Sequence, residues 1–228
     1  MHFRISSGPA YALAYVTLSA GESVYLEKGS MVAMSGGVSV GSSVTGGLIG
    51  GVARKLLVEE KFFQGKYTAA VEGAWVAVGP NFPGDIAAVD LGTDGPIMLQ
   101  SGSYLGHEPT VEVSVGVTNM QKIIMREGLF ALNCRGDGML LIASYGGLER
   151  FELVGGQKLI VDTGHIVAWS QGMPARSGPL SSLAASVLTG EGLVLELTGP
   201  GIVYIQSRSE KGLETFLFPD REKAVENR

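Results

Sequence analysis

The chain is expected to be all-β, with three similar β units related by internal pseudo-threefold symmetry and short helical segments between the strands. Composition comes first. The 228 residues include 34 glycines, with 45% hydrophobic, 7% aromatic and 17% charged residues. Glycine stands at about 15%, roughly twice its usual share, and charge is below the ordinary ~25%. That balance excludes a disordered charged chain, and the glycines follow no Gly-X-Y period, so a collagen is excluded too.

Self-similarity comes second. The stretch Gly21 to Ser35 lies without gaps on Gly156 to Ser170, with five identical pairs: Gly21 and Gly156, Gly29 and Gly164, Val32 and Val167, Ala33 and Ala168, Ser35 and Ser170. A weaker third copy runs from Pro96 to Gly106. The shared kernel is an apolar strand, polar residues around a glycine, and a second apolar strand. Gly29, Gly102 and Gly164 are expected at positive φ, which other residues adopt only at a steric cost.

The third observation is that the downstream halves repeat as well. Leu180, Leu183, Ala184, Val187 and Leu188 follow helical spacing, as do Met120, Ile123 and Ile124 after an N-cap at Thr118 or Asn119. Leu48, Ile49, Val52, Leu56 and Leu57 offer a glycine-broken version. Strand-like runs follow at Glu127 to Leu132 and Glu191 to Leu197. Gly73 to Val78, Gly136 to Ile142 and Gly199 to Ile205 then match one another. With no proline- or charge-rich linker between copies, the expectation is one all-β domain over residues 1–209, its repeats at about 1–80, 81–147 and 148–209. Residues 210–228 form a charged tail, expected to start as a docked strand anchored by Phe216 and Phe218.

Compartment follows from the N-terminus. Arg4, the apolar run Ala10 to Leu18 and Ser19-Ala20-Gly21 imitate a signal peptide. The β-prone Tyr11 to Leu18 is, however, the first strand of the repeat, and its removal would destroy the fold. No apolar run approaches the ~18 to 20 residues of a spanning helix. The expected location is cytoplasmic, with a membrane-peripheral site left open.

Chemistry is sparse. The single cysteine, Cys134, excludes an intrachain disulfide and a thiolate zinc site. Metal catalysis would want clustered histidines and a carboxylate. His2, His107 and His165 are scattered instead, and in the repeat His165 falls on Ser30 and Ser103, His107 on Met34 and Trp169. Gly102 to Gly106 only imitates a nucleophile elbow, Gly65-Lys66-Tyr67 lacks the rest of a phosphate loop, and Gly136-Asp137-Gly138 has the composition of a hairpin turn. The formal charge of −5 and the glutamates Glu59 and Glu60 among Arg54, Lys55, Lys61 and Lys66 argue against nucleic acid. No catalytic, metal or cofactor residue is therefore expected, and the chain is read as no enzyme.

The segment Val44 to Leu57 stands apart as apolar, glycine-rich and closed by two cations. Leu48, Ile49, Val52, Arg54, Lys55, Leu56 and Leu57 make it a candidate contact, either with an anionic lipid surface or with a neighbouring repeat or subunit. Apolar segments in every repeat point to a homo-oligomer, dimer or trimer, acting as a scaffold or binding module. A lipid-binding protein and a small-ligand sensor are the alternatives.

Gly29 to Met34, Gly46 to Val52 and Thr198 to Ser207, with its Gly199-Pro200-Gly201 strand entry, resemble the altered inheritance of mitochondria protein 24 family over nearly the whole chain. The resemblance implies three tandem units similar to the trp RNA-binding attenuation protein, of the double-stranded β-helix type. It also implies a link to inner-membrane organisation among mitochondrial members. It supplies no catalytic residues. The Arg- and Ser-rich, acid-poor leader of a mitochondrial protein is not seen here, and RNA binding does not transfer with a fold.

Overall fold

The computed structural model describes residues 1–43, 64–115, 131–178 and 194–219. Among them β1 (His2–Ser6) precedes eighteen further strands that come in three sets of six. The first set is β2 (Leu13–Leu18), β3 (Ser23–Glu27), β4 (Met31–Met34), β5 (Val38–Ser43), β6 (Gln64–Ala69) and β7 (Ala74–Val78). The second is β8 (Ile86–Asp90), β9 (Ile97–Gln100), β10 (Tyr104–His107), β11 (Val111–Val115), β12 (Ala131–Gly136) and β13 (Met139–Ala143). The third is β14 (Leu148–Leu153), β15 (Lys158–Asp162), β16 (Ile166–Ser170), β17 (Ala175–Gly178), β18 (Val194–Thr198) and β19 (Gly201–Gln206).

Connectivity is the same in every set. The first, sixth and third strands bond side by side, and so do the fourth, fifth and second. Each set is thus split into two three-stranded halves, which pack against each other around a shared apolar cluster. In the first set Ala14, Val16 and Val76 meet Val24 and Leu26. In the second Leu140 and Ile142 meet Ile97, Leu99 and Leu132. Trp169 and Val203 meet Leu195 and Leu197 in the third. The alternation of β2, with Ala14, Val16 and Leu18 buried and Thr17 exposed, is what a strand with one face on a core requires.

Sheets do not stop at the borders of the sets. The second strand of one set bonds antiparallel to the third strand of the next, β3 to β10 and β9 to β16. These junctions fuse halves into two six-stranded sheets, ordered β5-β6-β3-β10-β13-β8 and β11-β12-β9-β16-β19-β14. The remaining halves form a four-stranded sheet, β1-β2-β7-β4, and a three-stranded one, β15-β18-β17. The architecture is all-β with several antiparallel sheets, repeated internally, and short helices.

Three expectations need correction. Gly136-Asp137-Gly138 is no hairpin turn: β12 bonds β11 and β9 while β13 bonds β10 and β8. The turn carries the chain from one sheet to another, with Gly136 at φ +124° and Thr110 and Glu108 packed where a Gly138 side chain would stand. Of the three kernel glycines only Gly29 has positive φ, at +89°. Gly102 and Gly164 lie inside 3-10 turns, Ser101–Ser103 and Thr163–His165. There they leave room for neighbours, since a Cβ would come within 3.5 Å of the Glu210 carboxylate and 3.2 Å of Ser209 respectively. The tail begins as a helix, Glu210–Leu217, not a strand. Ser209 caps it, accepting from the Gly212 amide at 3.2 Å, and Glu210 sits favourably in its first turn. Phe216 and Phe218 are exposed. The expected helical segments around Leu48, Met120 and Leu183 lie outside the described residues.

Strands approach closely at Gly106, where a Cβ would come 2.7 Å from Leu26 Cδ2 and 2.8 Å from the Tyr25 carbonyl oxygen. Gly106→Ala should therefore destabilise the protein by about 1–3 kcal/mol. Gly155→Ala, in open space without a positive φ, should be nearly neutral. Denaturant titration of the two variants checks this.

Candidate functional site

The residues singled out for contact, Leu48, Ile49, Val52, Arg54, Lys55, Leu56 and Leu57, lie outside the described residues. Within those, chemistry gathers at the junctions between sets.

At the first junction, register places Gly106 opposite Leu26 and His107 opposite Tyr25. The Tyr25 and His107 rings stack, 5.1 Å between centroids and 19° between planes. The Tyr104 hydroxyl lies 2.7 Å from His107 Nδ1 and accepts from Gln64 Nε2 at 2.9 Å. Which of the two donates follows the tautomer of the imidazole, which is neutral. Burial makes this the stable state by pushing His107 down to about 4. Burial likewise holds the Tyr104 hydroxyl well above the usual tyrosine range. All three side chains are buried, so the trio is a satisfied structural network.

Two further groups among the described residues have structural surroundings. Cys134 is fully buried in β12 and burial pushes its thiol up, which suits a small apolar side chain. His165 Nδ1 lies 2.8 Å from the Gln206 carbonyl oxygen, to which it donates. Among the described residues no group of three or more His, Cys, Asp or Glu is placed to hold a metal ion.

Where the three sets converge, Glu27, Gln100, Tyr145, Gln206 and Glu210 help to line a cavity of about 150 Å³. Glu27 and Gln100 correspond in the repeat, and burial raises the Glu27 carboxyl to about 7. Such a cavity suits a small polar guest. A wider, open cleft of about 430 Å³ runs past Tyr11, Val32 and Phe82.

Val32 belongs to the feature that sequence reasoning missed, the outer edge of β4. All four residues of β4 are exposed, whereas all four of β10 are buried. Only the strand order brings this out, because the β4 and β16 sequences are alike and their neighbours differ.

A repeated all-β chain, with its polar groups satisfied inside junctions and an apolar strand edge outside, falls in the class of structural or binding domains. Within that class the chain belongs to the family described as Mitochondrial biogenesis AIM24, whose model matches residues 3–208. It is 30% identical over 215 residues to an uncharacterised Streptococcus pyogenes protein, spanning 91% of this chain and 86% of that one. An X-ray crystal structure of a Streptococcus pyogenes protein, also 30% identical, superposes with a TM-score of 0.74 over 97% of this chain and 99% of that one. Among the described residues no helix is long and apolar enough to cross a membrane.

Glu27 yields a pH test. Its folded pKa, about 7, lies above its ordinary 4.5. Its contribution to stability is therefore fully present below about 4.5 and lost as pH rises through about 7. Glu27→Gln, which copies the second set's Gln100, should melt higher than the parent at pH 8 and show no gain at pH 4. Melting curves at the two pH values check it.

Proposed function

We propose that the chain is a non-enzymatic scaffold or binding module that works through self-association in the cytoplasm, with no nucleic acid partner. Residues 1–209 act as one domain of three units similar to the trp RNA-binding attenuation protein, and a homo-oligomer is the working form. The exposed apolar edge of β4, in a strand type buried elsewhere in the chain, is the observation that carries this reading.

Two other readings each have a feature behind them. The apolar run Val44 to Leu57, closed by Arg54 and Lys55, would suit a peripheral contact with anionic lipid. The Glu27 cavity would suit a small-ligand sensor.

Native mass spectrometry of the purified protein separates the three. Self-association gives a single multi-chain species of unmodified subunits. A monomer overturns it, and a few hundred daltons of extra mass per subunit favours a lipid or ligand. Leu56→Asp sharpens the choice. If the segment is a subunit contact, the variant loses native mass. If it is a lipid contact, the variant keeps its mass and no longer sediments with anionic liposomes.

A further inference from the structure

The open edges of β4 and β15 are the two halves of a contact that the chain already makes twice within itself. The first junction sets Gly106 opposite Leu26 and His107 opposite Tyr25. At the second, Ala168 faces Leu99, Trp169 faces Met98 and Ser170 faces Ile97. Every third strand carries a bulge against its own sixth strand, between Met31 and Ala33, Tyr104 and Gly106, and Ile166 and Ala168. The bulges align Val32 with Leu105 and Val167, and Met34 with His107 and Trp169. The turn glycines Gly29, Gly102 and Gly164 align Tyr25 with Met98 and Ile160. In this alignment the two internal junctions have one and the same register.

The third instance is unmade. Among the described residues β4 bonds only β7, and β15 bonds only β18. Exposure follows the missing partner: Val32 is 59% exposed where Leu105 and Val167 are sealed, Met34 40% where Trp169 is 1%, and Ile160 52% where Met98 is 5%. The side chains are apolar at each of these positions, and among the described residues each edge has no strand on its outer side. The fourth strands β5, β11 and β17 are edges in all three sets, so an edge there is part of the repeat, whereas the edges at β4 and β15 are exceptions to it.

We propose that β4 of one copy pairs antiparallel with β15 of a second copy, with Ala33 opposite Val161, Met34 opposite Ile160 and Ser35 opposite Leu159. Copies then join head to tail through the same junction that links the sets inside each chain. A heterologous contact of this kind closes a ring or extends a filament according to the rotation per copy. The proposal rests on the self-association reading and specifies its contact.

Cross-linking tests it. Residues directly opposite on antiparallel strands have Cα atoms about 4.5–5.5 Å apart, within reach of a disulfide. A chain with Met34→Cys is mixed with a chain with Ile160→Cys and oxidised with copper phenanthroline. The expected product is a reducible dimer linked between positions 34 and 160, formed in the mixture and not by either chain alone. Val32→Asp should reduce the assembly to monomers that melt like the parent subunit, while Val154→Asp, equally exposed but in a turn, should leave native mass unchanged. A persistent assembly without the 34–160 link and unmoved by Val32→Asp overturns the contact and leaves self-association standing. A monomeric parent overturns both. A 34–160 link within one chain carrying both cysteines would show the chain closing on itself, and a co-purified peptide lost in Val32→Asp would assign the edge to a different partner; either result overturns the proposal.

Discussion

Backbone amides and carbonyls on one side of β3 and of β9 find their partners on the third strand of the following set. Everything else in the molecule accommodates that exchange. A set cannot satisfy its own hydrogen bonds, because its second and third strands belong to opposite halves, so the sets are bound into sheets that run across their borders. Buried backbone groups left unpaired are costly, which makes the junction a condition of folding. It also limits side-chain size at the crossing: Gly106 and Ala168 stand where the neighbouring strand comes closest, and Ala33 occupies the same place in the first set.

The two internal junctions share geometry and differ in chemistry. The second is apolar, with Trp169 opposite Met98. The first stacks His107 on Tyr25 and closes a hydrogen-bond chain through Tyr104 to Gln64. A buried polar chain stabilises only when every member is satisfied. Here the neutral imidazole is the form that satisfies it, so burial and hydrogen bonding favour the same protonation state. The polar trio also distinguishes this junction from its apolar counterpart, which opposes mispairing between similar strands.

Much of the fold was legible in the residues. The pairing of Gly21–Ser35 with Gly156–Ser170 located corresponding strands in the first and third sets, and the β-prone run Tyr11–Leu18 holds β2. What could not be read was which strand bonds which. Gly136-Asp137-Gly138 has hairpin composition because a tight turn between extended segments needs small residues whether or not the segments bond each other. Gly102 and Gly164 matched Gly29 in sequence, yet they sit in 3-10 turns, and Ser209 of the tail packs close to Gly164, a tertiary contact no local pattern records. For the same reason the edge of β4 escaped notice, since Met31-Val32-Ala33-Met34 reads as an ordinary core strand. The tail's charge and two phenylalanines suggest a docked strand, whereas the Ser209 cap starts a helix at Glu210.

The exchange between sets also sets a timetable for synthesis. Leu26 leaves the ribosome long before its partner Gly106, and Leu99 long before Ala168. A nascent chain that has finished its first set therefore carries β3 with one side open until the second set has emerged. Such long-range pairing is slow to form, and an unpaired strand edge on a growing chain is a surface for wrong partners. The repeat that simplifies the architecture thus prolongs the exposure of the first two units, because neither is complete until its successor has been translated.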